Sequence, residues 1–217
     1  MAADRDSRRD WIARRAAMEL RDGDVVNLGI GLPTTVAGFV PPGIRVVFQS
    51  ENGVLGLGPR PAPGDEDADL IDAGGGYVTV VPGACFFDSA AAFNMIRGGH
   101  IDVAILGALQ VDELGNLANY IIPGKRVPGI GGGMDVATGA RRVIGVTELM
   151  ASDGTCKLVP RCTLPLTAAG EVNLIITDYG VIEVTPEGLV VQELAPDVQP
   201  EDLTSRTAAR LRFIRKL

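Results

Sequence analysis

The chain has 217 residues, of which 46% are hydrophobic and 22% charged, and its formal net charge at pH 7 is -7. This composition is ordinary for a globular protein that can build a core. The acidic balance argues against nonspecific nucleic-acid binding, which needs a basic surface. No apolar run reaches the roughly 18–20 residues of a membrane span, so we expect no membrane association.

Cysteine usage and the N-terminus indicate the compartment. The three cysteines, Cys85, Cys156 and Cys162, form no CxxC pair. Their number and spacing fit a reducing compartment and argue against a disulfide framework or a zinc site. The N-terminus lacks the uninterrupted apolar segment of a signal peptide. We therefore predict a cytoplasmic protein, and the length favours a single domain over residues 1–217.

Helices and strands alternate over the first 150 residues. Ser7 can cap a helix that runs to about Arg21 and is ended by Gly23. Further predicted strands are DVVNLGIG (24–31), IRVVFQ (44–49), YVTVVP (77–82) and IDVAILGALQV (101–111), and further helices are PTTVAGFV (33–40) and DSAAAFNMIRGG (88–99), the latter capped by Asp88 or Ser89. The strand at 101–111 is too apolar to be half exposed, which is typical of a parallel sheet covered on both faces.

The rest of the chain is richer in strands. The predicted elements are strands LANYII (117–122), RRVIGVTEL (141–149) and VNLIITD (172–178), a short helix MDVATGA (134–140), a hairpin VIEVTPEGLVVQEL (181–194) and a closing helix EDLTSRTAARLRF (201–213) capped by Thr204 or Ser205. This order predicts an α/β fold. We expect a mostly parallel open sheet covered by helices on both faces, with a more β-rich C-terminal part.

Several motifs suggest chemistry that their surroundings do not support. The only histidine, His100, follows a predicted helix, and this place at the helix C-terminus favours a structural role over a His-based triad or metal site. The sequence GIGLPT (29–34) has Thr34 where a dinucleotide fingerprint has its third glycine, although a loop containing Gly31 can still receive an anionic or carbonyl oxygen. The acidic residues between 65 and 69 lack the spacing of a calcium loop, so we interpret them as solvated and predict no metal site.

Three consecutive glycines, Gly131, Gly132 and Gly133, precede the predicted helix at 134–140. Such a run is either a flexible turn or a close backbone approach with free N–H groups. The second interpretation suits stabilisation of an oxyanion. The run lacks the Lys-Ser/Thr ending of a phosphate-binding loop, which argues against an NTPase.

The stretch SENGVLGLGP (50–59) poses the main question. Asn52-Gly53 is a strong hairpin signal, and Glu51 before it is either part of a turn or a carboxylate displayed for chemistry. The segment after Gly53 is rich in Gly and Pro and is a poor strand, which weakens the simple hairpin interpretation. A strand end followed by an open loop is a place where functional residues often lie.

The chain resembles family I CoA-transferases, specifically the small (B or β) subunit of 3-oxoacid CoA-transferases. The resemblance is carried by SENGVLGLGP, NLGIGLP, DADLIDAG, VPGACFF, MIRGGHIDVAILGALQV, LANYIIPGK, GGGMD and CTLPLT, in the order and spacing of the family. It covers nearly residues 15 to 200. Two departures are Gly133, where the family usually has Ala, and Ala168-Ala169 after CTLPLT, where it usually has Gly.

The resemblance implies that Glu51 is the nucleophile of ping-pong chemistry that passes through an acyl-glutamyl anhydride and a glutamyl-CoA thioester. It also implies that Gly132 supplies an oxyanion donor, and that Gly131, Gly133, Asn52 and Gly31 belong to the same oxyanion and CoA-thioester binding region. Coenzyme A is then a substrate, and no cofactor is required.

The implied partner is a large (A or α) subunit, in a hetero-oligomer such as α2β2, which is expected to add a side-chain donor. The implied substrates are succinyl-CoA and a 3-oxoacid such as acetoacetate. A 3-oxoadipate enzyme, an acetate- or butyrate-type enzyme, a CoA-ester hydrolase and a non-catalytic binding domain remain as alternatives.

Overall fold

The computed structural model describes residues 2–124 and 129–214 of the chain. The helices are α1 (Ala2–Ala17), α2 (Ser89–Arg97), α3 (Gly133–Gly139) and α4 (Pro200–Arg206), with a 3-10 helix at Leu32–Phe39. The strands are β1 (Val25–Leu28), β2 (Val47–Ser50), β3 (Val54–Leu57), β4 (Val80–Phe86), β5 (Val103–Gly107), β6 (Gln110–Asp112), β7 (Leu117–Ala118), β8 (Arg142–Thr147), β9 (Leu158–Val159), β10 (Val172–Thr177), β11 (Gly180–Thr185), β12 (Gly188–Leu194) and β13 (Leu211–Phe213).

Ten of these strands form one sheet in the order β13-β12-β11-β10-β8-β5-β1-β2-β3-β4, and the other three form a small sheet, β7-β6-β9. The five central strands, β10, β8, β5, β1 and β2, are all parallel. Antiparallel pairing adds β11 and β12 on one side and β3 and β4 on the other, and β13 completes the sheet parallel to β12. The predicted α/β fold with a mostly parallel sheet and a β-rich C-terminal part is confirmed.

Helices cover both faces of the central strands. Because successive strand residues point to opposite faces, Val26 and Ile105 pack under α1 with Ile12, whereas Ala104 packs on the other face with Ile96 of α2. All five residues have no exposed surface. Two apolar layers therefore fix the central strands, and their carboxyl ends meet at one edge of the sheet.

Helix positions are predicted better than helix ends. The cap of α2 is confirmed, because the Ala91 N–H donates to the Asp88 carboxylate over 2.7 Å. Ser7 is not a cap, since α1 begins at Ala2 and ends at Ala17, and no helix-breaking residue precedes Ser7. The closing helix begins after Gln199, whose N–H donates to Asp202 over 3.0 Å. Thr204 and Ser205 therefore lie inside α4, and the chain after it continues into β13.

Three strand predictions and one helix prediction change in detail. The segment 101–111 divides into β5 and β6, because the Leu109 N–H bonds to Ala118 O at 2.9 Å and leads the chain into the small sheet. Only Leu117–Ala118 of LANYII is a strand, and the strand predicted at 77–82 lies later, at Val80–Phe86. The helix predicted at 33–40 is a 3-10 helix.

The expectation that the segment after Gly53 does not pair back is wrong. Ser50 pairs with Val54 and Gln49 with Leu55, so β2 and β3 form a hairpin. The strand β3 is short enough to end before the proline-rich segment, and its other edge is held by β4. Gly56 lies within this strand with a φ of 96°, which favours glycine. A Cβ at this residue would lie only 3.0 Å from Ala84 of β4. Glycine is needed for the close approach of the two strands.

Candidate active site

Glu51 is the first residue of the three-residue turn that joins β2 to β3. The Gly53 N–H donates to Ser50 O at 3.0 Å and closes the turn. Gly53 has a φ of 119°, and a Cβ there would lie 2.0 Å from Phe87 O, so no other residue fits. The turn interpretation and the display of the carboxylate are therefore compatible. A tight hairpin holds Glu51, half-buried, at the carboxyl edge of the parallel strands.

The Glu51 carboxylate faces the side chain of Asn27, near the end of the neighbouring strand β1. The distance from Asn27 Nδ2 to Glu51 Oε2 is 3.3 Å. The same Nδ2 lies 2.7 Å from Gln49 Oε1. Asn27 and Gln49 are each 2% exposed, so a buried amide, that of Asn27, contacts the carboxylate, and a second buried amide, that of Gln49, contacts Asn27.

The glycine run lies above Glu51. A Cβ on Gly132 would stand 3.4 Å from Glu51 Cγ and 2.9 Å from Phe93 Cζ. Gly133 contacts a different region, since its nearest neighbours are Thr167 and Asn119, and its N–H bonds to Ile130 O at 3.1 Å. Gly131, with a φ of 52°, has no atom within 4 Å of its Cβ position. Of the three glycines, Gly132 lies against the Glu51 side chain.

The helix after the glycines, α3, is joined to α2 by an ion pair. Asp135, in the first turn of α3, accepts a hydrogen bond of 2.6 Å from Arg97 Nε. The same contact raises the pKa of the Arg97 guanidinium. The guanidinium carbon of Arg97 also lies 5.8 Å from the centroid of the Phe93 ring. The contact links α3, which follows Gly132, to α2, which carries Phe93.

Motifs far apart in the chain meet below the glycine run. The Thr167 hydroxyl of CTLPLT donates to Asn119 Oδ1 over 2.6 Å, and the Asn119 N–H donates back to Thr167 Oγ1 over 3.1 Å. Asn119 belongs to LANYII. Gly133 packs on this pair. Lys125, which follows in the same stretch of sequence, lies outside the described residues.

The other two predicted site residues occupy the loops around Glu51. The side chain of Asn52 is exposed, and its Nδ2 donates to Ile71 O over 2.8 Å, which ties the following loop to the hairpin. Gly31 lies one strand away, in the loop after β1, where it has a φ of 89° and begins the 3-10 helix. Its Cβ position has no atom within 4 Å.

Sequence reasoning missed Asn27, Gln49 and Phe93. Asn27 and Gln49 are single polar residues in otherwise apolar stretches, VVNL and VVFQ, near the ends of predicted parallel strands. That pattern could have been used, because the carboxyl ends of parallel strands meet at one edge. Phe93 has no such signal, since an aromatic residue in a helix is usually part of the core.

The remaining sequence candidates lie apart from this site. His100 is exposed just after α2, and its backbone N–H donates to Met95 O over 3.0 Å. The acidic residues between 65 and 69 are exposed, and among the described residues no three His, Cys, Asp or Glu side chains are grouped to hold a metal ion. All three cysteines are free thiols. Within residues 2–124 and 129–214, no helix has the length and apolar character needed to cross a bilayer.

Comparison with known proteins assigns the chain to a family. Residues 9–205 match the family described as Coenzyme A transferase. The chain is 51% identical to the beta subunit of the acetate CoA-transferase of Escherichia coli, over 92% of this chain and 91% of that one. It is 50% identical to the B-type subunit of the succinyl-CoA:3-ketoacid coenzyme A transferase of Helicobacter pylori, over 93% of this chain and 97% of that one.

Solved structures share the fold. The acyl-CoA transferase YdiF of Escherichia coli O157:H7, as the apoenzyme, matches with a TM-score of 0.74 and 22% identity. The match covers 96% of this chain and 42% of that chain. The family match over residues 9–205 and the identities of 51% and 50% show that the chain belongs to the coenzyme A transferase family. Within it, this protein is the small subunit of a CoA-transferase, the counterpart of the beta and B-type subunits of the two relatives above.

Proposed function

We propose that this subunit, together with a large subunit, moves coenzyme A from succinyl-CoA to a 3-oxoacid such as acetoacetate. The observation that carries the proposal is the position of Glu51. Its carboxylate stands on a tight, hydrogen-bonded hairpin turn, and the backbone of Gly132 lies against its side chain. A carboxylate that is fixed in place next to backbone groups has the parts of a covalent acyl-transfer site.

The first half-reaction uses both the oxygen and the carbon of the carboxylate. One Glu51 oxygen attacks the acyl-CoA carbonyl, the carbon–sulfur bond breaks, and CoA leaves as a thiolate from an acyl-glutamyl anhydride. The thiolate then attacks Cδ of Glu51, the bond from Cδ to the bridging oxygen breaks, and the first acid leaves as its carboxylate. The product is a glutamyl-CoA thioester.

The second half-reaction reverses these steps with another acid. The incoming carboxylate attacks Cδ of the thioester and releases CoA thiolate from a new anhydride. The thiolate attacks the acyl carbon of the incoming acid, and Glu51 leaves as a carboxylate. No proton, electron or cofactor is needed, because every leaving group is an anion that becomes the next nucleophile.

Each step passes through a tetrahedral oxyanion, which needs hydrogen-bond donors aimed at the reacting carbonyl. Gly132 is the proposed backbone donor, and its position against Glu51 supports this assignment. A weak nucleophile such as a carboxylate also depends on positioning and on binding energy from the remote part of CoA. Asn52, Gly31, Gly131 and Gly133 are proposed to shape the surrounding binding region.

The large subunit is proposed to complete and close the site. Glu51 is only half-buried in this chain, whereas an anhydride and a thioester are both hydrolysed by water and require a closed site. Both relatives named above are subunits, which supports a heteromer such as α2β2. A cytoplasmic location remains a prediction from the sequence.

The choice of acceptor acid rests on sequence resemblance. Two relatives of nearly equal identity are named for acetate and for succinyl-CoA with a 3-ketoacid. We favour the second because IIPGK and CTLPLT resemble that branch. Acetate, butyrate or 3-oxoadipate as acceptor is the alternative within the class, and hydrolysis of the thioester is a more distant one.

The test is a search for the covalent intermediate. The chain is co-purified with its large subunit, incubated with succinyl-CoA, digested and analysed by mass spectrometry. CoA should be attached to the peptide that contains Glu51, and acetoacetate should remove it. Glu51→Gln should abolish both the adduct and the exchange, with folding unchanged.

The matched control is Glu187→Gln, because Glu187 also lies in the turn of a hairpin and its side chain is 68% exposed. This variant should retain full activity. Exchange that continues in Glu51→Gln, or an adduct on another residue, would contradict the proposed function. An adduct that forms but is removed only by a different acid would correct the substrate alone.

A further inference from the structure

Two buried amides stand side by side beneath the Glu51 carboxylate. Asn27 of β1 and Gln49 of β2 are direct neighbours in the parallel register. Val26 faces α1, so Asn27 and Gln49 face the side covered by α2 and α3. Each is 2% exposed. Polar side chains are rare at such depth unless hydrogen bonds or function retain them.

The orientation of the Asn27 amide is fixed by its acceptors. Asn27 Nδ2 lies 2.7 Å from Gln49 Oε1, 3.3 Å from the backbone oxygen of Gln49 and 3.3 Å from Glu51 Oε2. The reversed amide would direct Oδ1 at a backbone carbonyl and a carboxylate, which both only accept. Asn27 is therefore a hydrogen-bond donor to Glu51, and this follows from the neighbouring atoms.

Among the described residues, the buried side chain of Gln49 leaves one of its polar atoms without a hydrogen bond. Its Oε1 accepts from Asn27, which directs its Nε2 elsewhere. Within the described part of the chain, that Nε2 is the buried side-chain atom without a hydrogen-bond partner. A buried donor without a partner destabilises the fold. An apolar residue would avoid this cost but could not hold the Asn27 amide.

We propose that Asn27 is a catalytic residue that donates to the acyl oxygen of Glu51, and that Gln49 is the positioning residue that orients it. The inference rests on the proposed function. Because Asn27 faces Oε2, that oxygen stays on Cδ while the other attacks the acyl-CoA. When the thiolate then attacks Cδ, negative charge develops on Oε2, in line with a donor already in place.

The donor suits every state of Glu51. The amide N–H can bond to the carboxylate, to the tetrahedral oxyanion and to the thioester carbonyl without giving up its proton. Its bond is strongest when the oxygen carries most charge, which is the condition for lowering the barrier. The chain thereby supplies a side-chain donor of its own, in addition to Gly132 and to any donor from the large subunit.

The test uses three variants in the complex with the large subunit. Asn27→Leu retains the volume and removes the donor, and kcat should fall by about 10²-fold, as on loss of one oxyanion donor. KM for the acyl-CoA should change little. Gln49→Met should lower kcat less. If Gln49 acts through Asn27, the double variant should be no slower than Asn27→Leu alone.

The matched control is Thr177→Val. Thr177 has no exposed surface and lies at the same edge, at the end of β10. This variant should lower thermal stability but not kcat. If Asn27→Leu fails to fold, Asn27→Ala and Asn27→Ser provide the same comparison, and their thermal melts are recorded beside the kinetics.

The rate of CoA adduct formation on Glu51 separates the two proposals. Absence of the adduct in the unmodified complex would overturn the proposed function. An adduct that forms at the normal rate in Asn27→Leu would overturn the donor role of Asn27 alone. If kcat of the double variant falls by the product of the two single losses, Gln49 does not act through Asn27.

Discussion

The backbone of Gly132 packs beside Glu51, and a methyl group added at residue 132 would stand 3.4 Å from Glu51 Cγ, in van der Waals contact. The same methyl would come within 2.9 Å of the Phe93 ring. The backbone φ of Gly132 is -82°, which alanine adopts without strain. A side chain at residue 132 would therefore require the Phe93 ring to move, and the side chain of Glu51 lies between Gly132 and the amide of Asn27.

Gly132→Ala should slow the enzyme without unfolding it. The methyl group would displace the Phe93 ring, which it would approach to 2.9 Å, and would touch Glu51. A misplacement of about 1 Å that is passed on to a reacting group can cost about 10²-fold in rate. Steady-state kinetics and a thermal melt measure the two effects. The matched control is Gly133→Ala, whose methyl would meet Thr167 Cγ2 at an ordinary 3.5 Å. Equal kinetic losses in the two variants would contradict the steric explanation.

Asn52→Ala should loosen the loop beside the site. The variant removes the 2.8 Å bond from Asn52 Nδ2 to Ile71 O. A second tether, from the Ala73 N–H to the Ser50 hydroxyl, remains. We expect a stability loss of roughly 1 kcal/mol and faster hydrogen exchange confined to peptides that cover residues 70–76. Ser50→Ala should act on the same peptides, and unchanged exchange there in both variants would exclude the tethering role.

Asp112→Asn should destabilise the protein in a pH-dependent way. Burial opposes ionisation of Asp112, but hydrogen bonds from Cys162, Asn116 and Leu114 outweigh it and lower the pKa of the carboxyl. A lowered folded-state pKa stabilises the fold above the unfolded value of about 3.9 and loses that contribution as the pH falls through the folded value.

Urea unfolding at a series of pH values measures this effect. At pH 7 the free energy of unfolding of Asp112→Asn should be lower by about 1–3 kcal/mol. The asparagine has an NH2 group in place of one carboxylate oxygen, so the backbone and side-chain N–H donors that face that oxygen lose their acceptor. The difference in free energy of unfolding between the unmodified protein and the variant should stay constant down to about pH 4 and shrink below it. A difference that grows in acid would contradict the assignment. Asp197→Asn, at an exposed residue, serves as the control.

Cys162 should resist alkylation although it is only partly buried. Burial raises the pKa of the Cys162 thiol to about 12, and the nearby Asp112 carboxylate adds to the rise. Because the thiolate is the reactive form, iodoacetamide at pH 8 should label exposed Cys85 long before Cys162. Asp112→Asn should speed labelling of Cys162 by removing the carboxylate. Mass spectrometry measures the labelling of each cysteine. Equal labelling rates for Cys85 and Cys162 would contradict the raised pKa of Cys162.

The sequence predicts most elements, and the errors have local causes. The turn at Asn52-Gly53 is correctly predicted, but the segment after it is too rich in glycine to indicate a paired strand. Gly56 is tolerated there because β4 approaches it closely, and no pattern within the segment reports the approach of another strand. The helix ends fail for a similar reason, since Ser7 is compatible with a helix interior as well as with a cap.

By itself, the sequence determined the class of the protein, because motifs along the whole chain resemble the small CoA-transferase subunit, and the same motifs made Glu51 the proposed nucleophile. Only the tertiary structure decided what surrounds that carboxylate. Asn27, Phe93 and Gly132 come from β1, α2 and the loop before α3, and the parallel register and helix packing bring them together. The chain encodes such contacts only through the packing of the whole sheet, and short-range patterns do not carry that information.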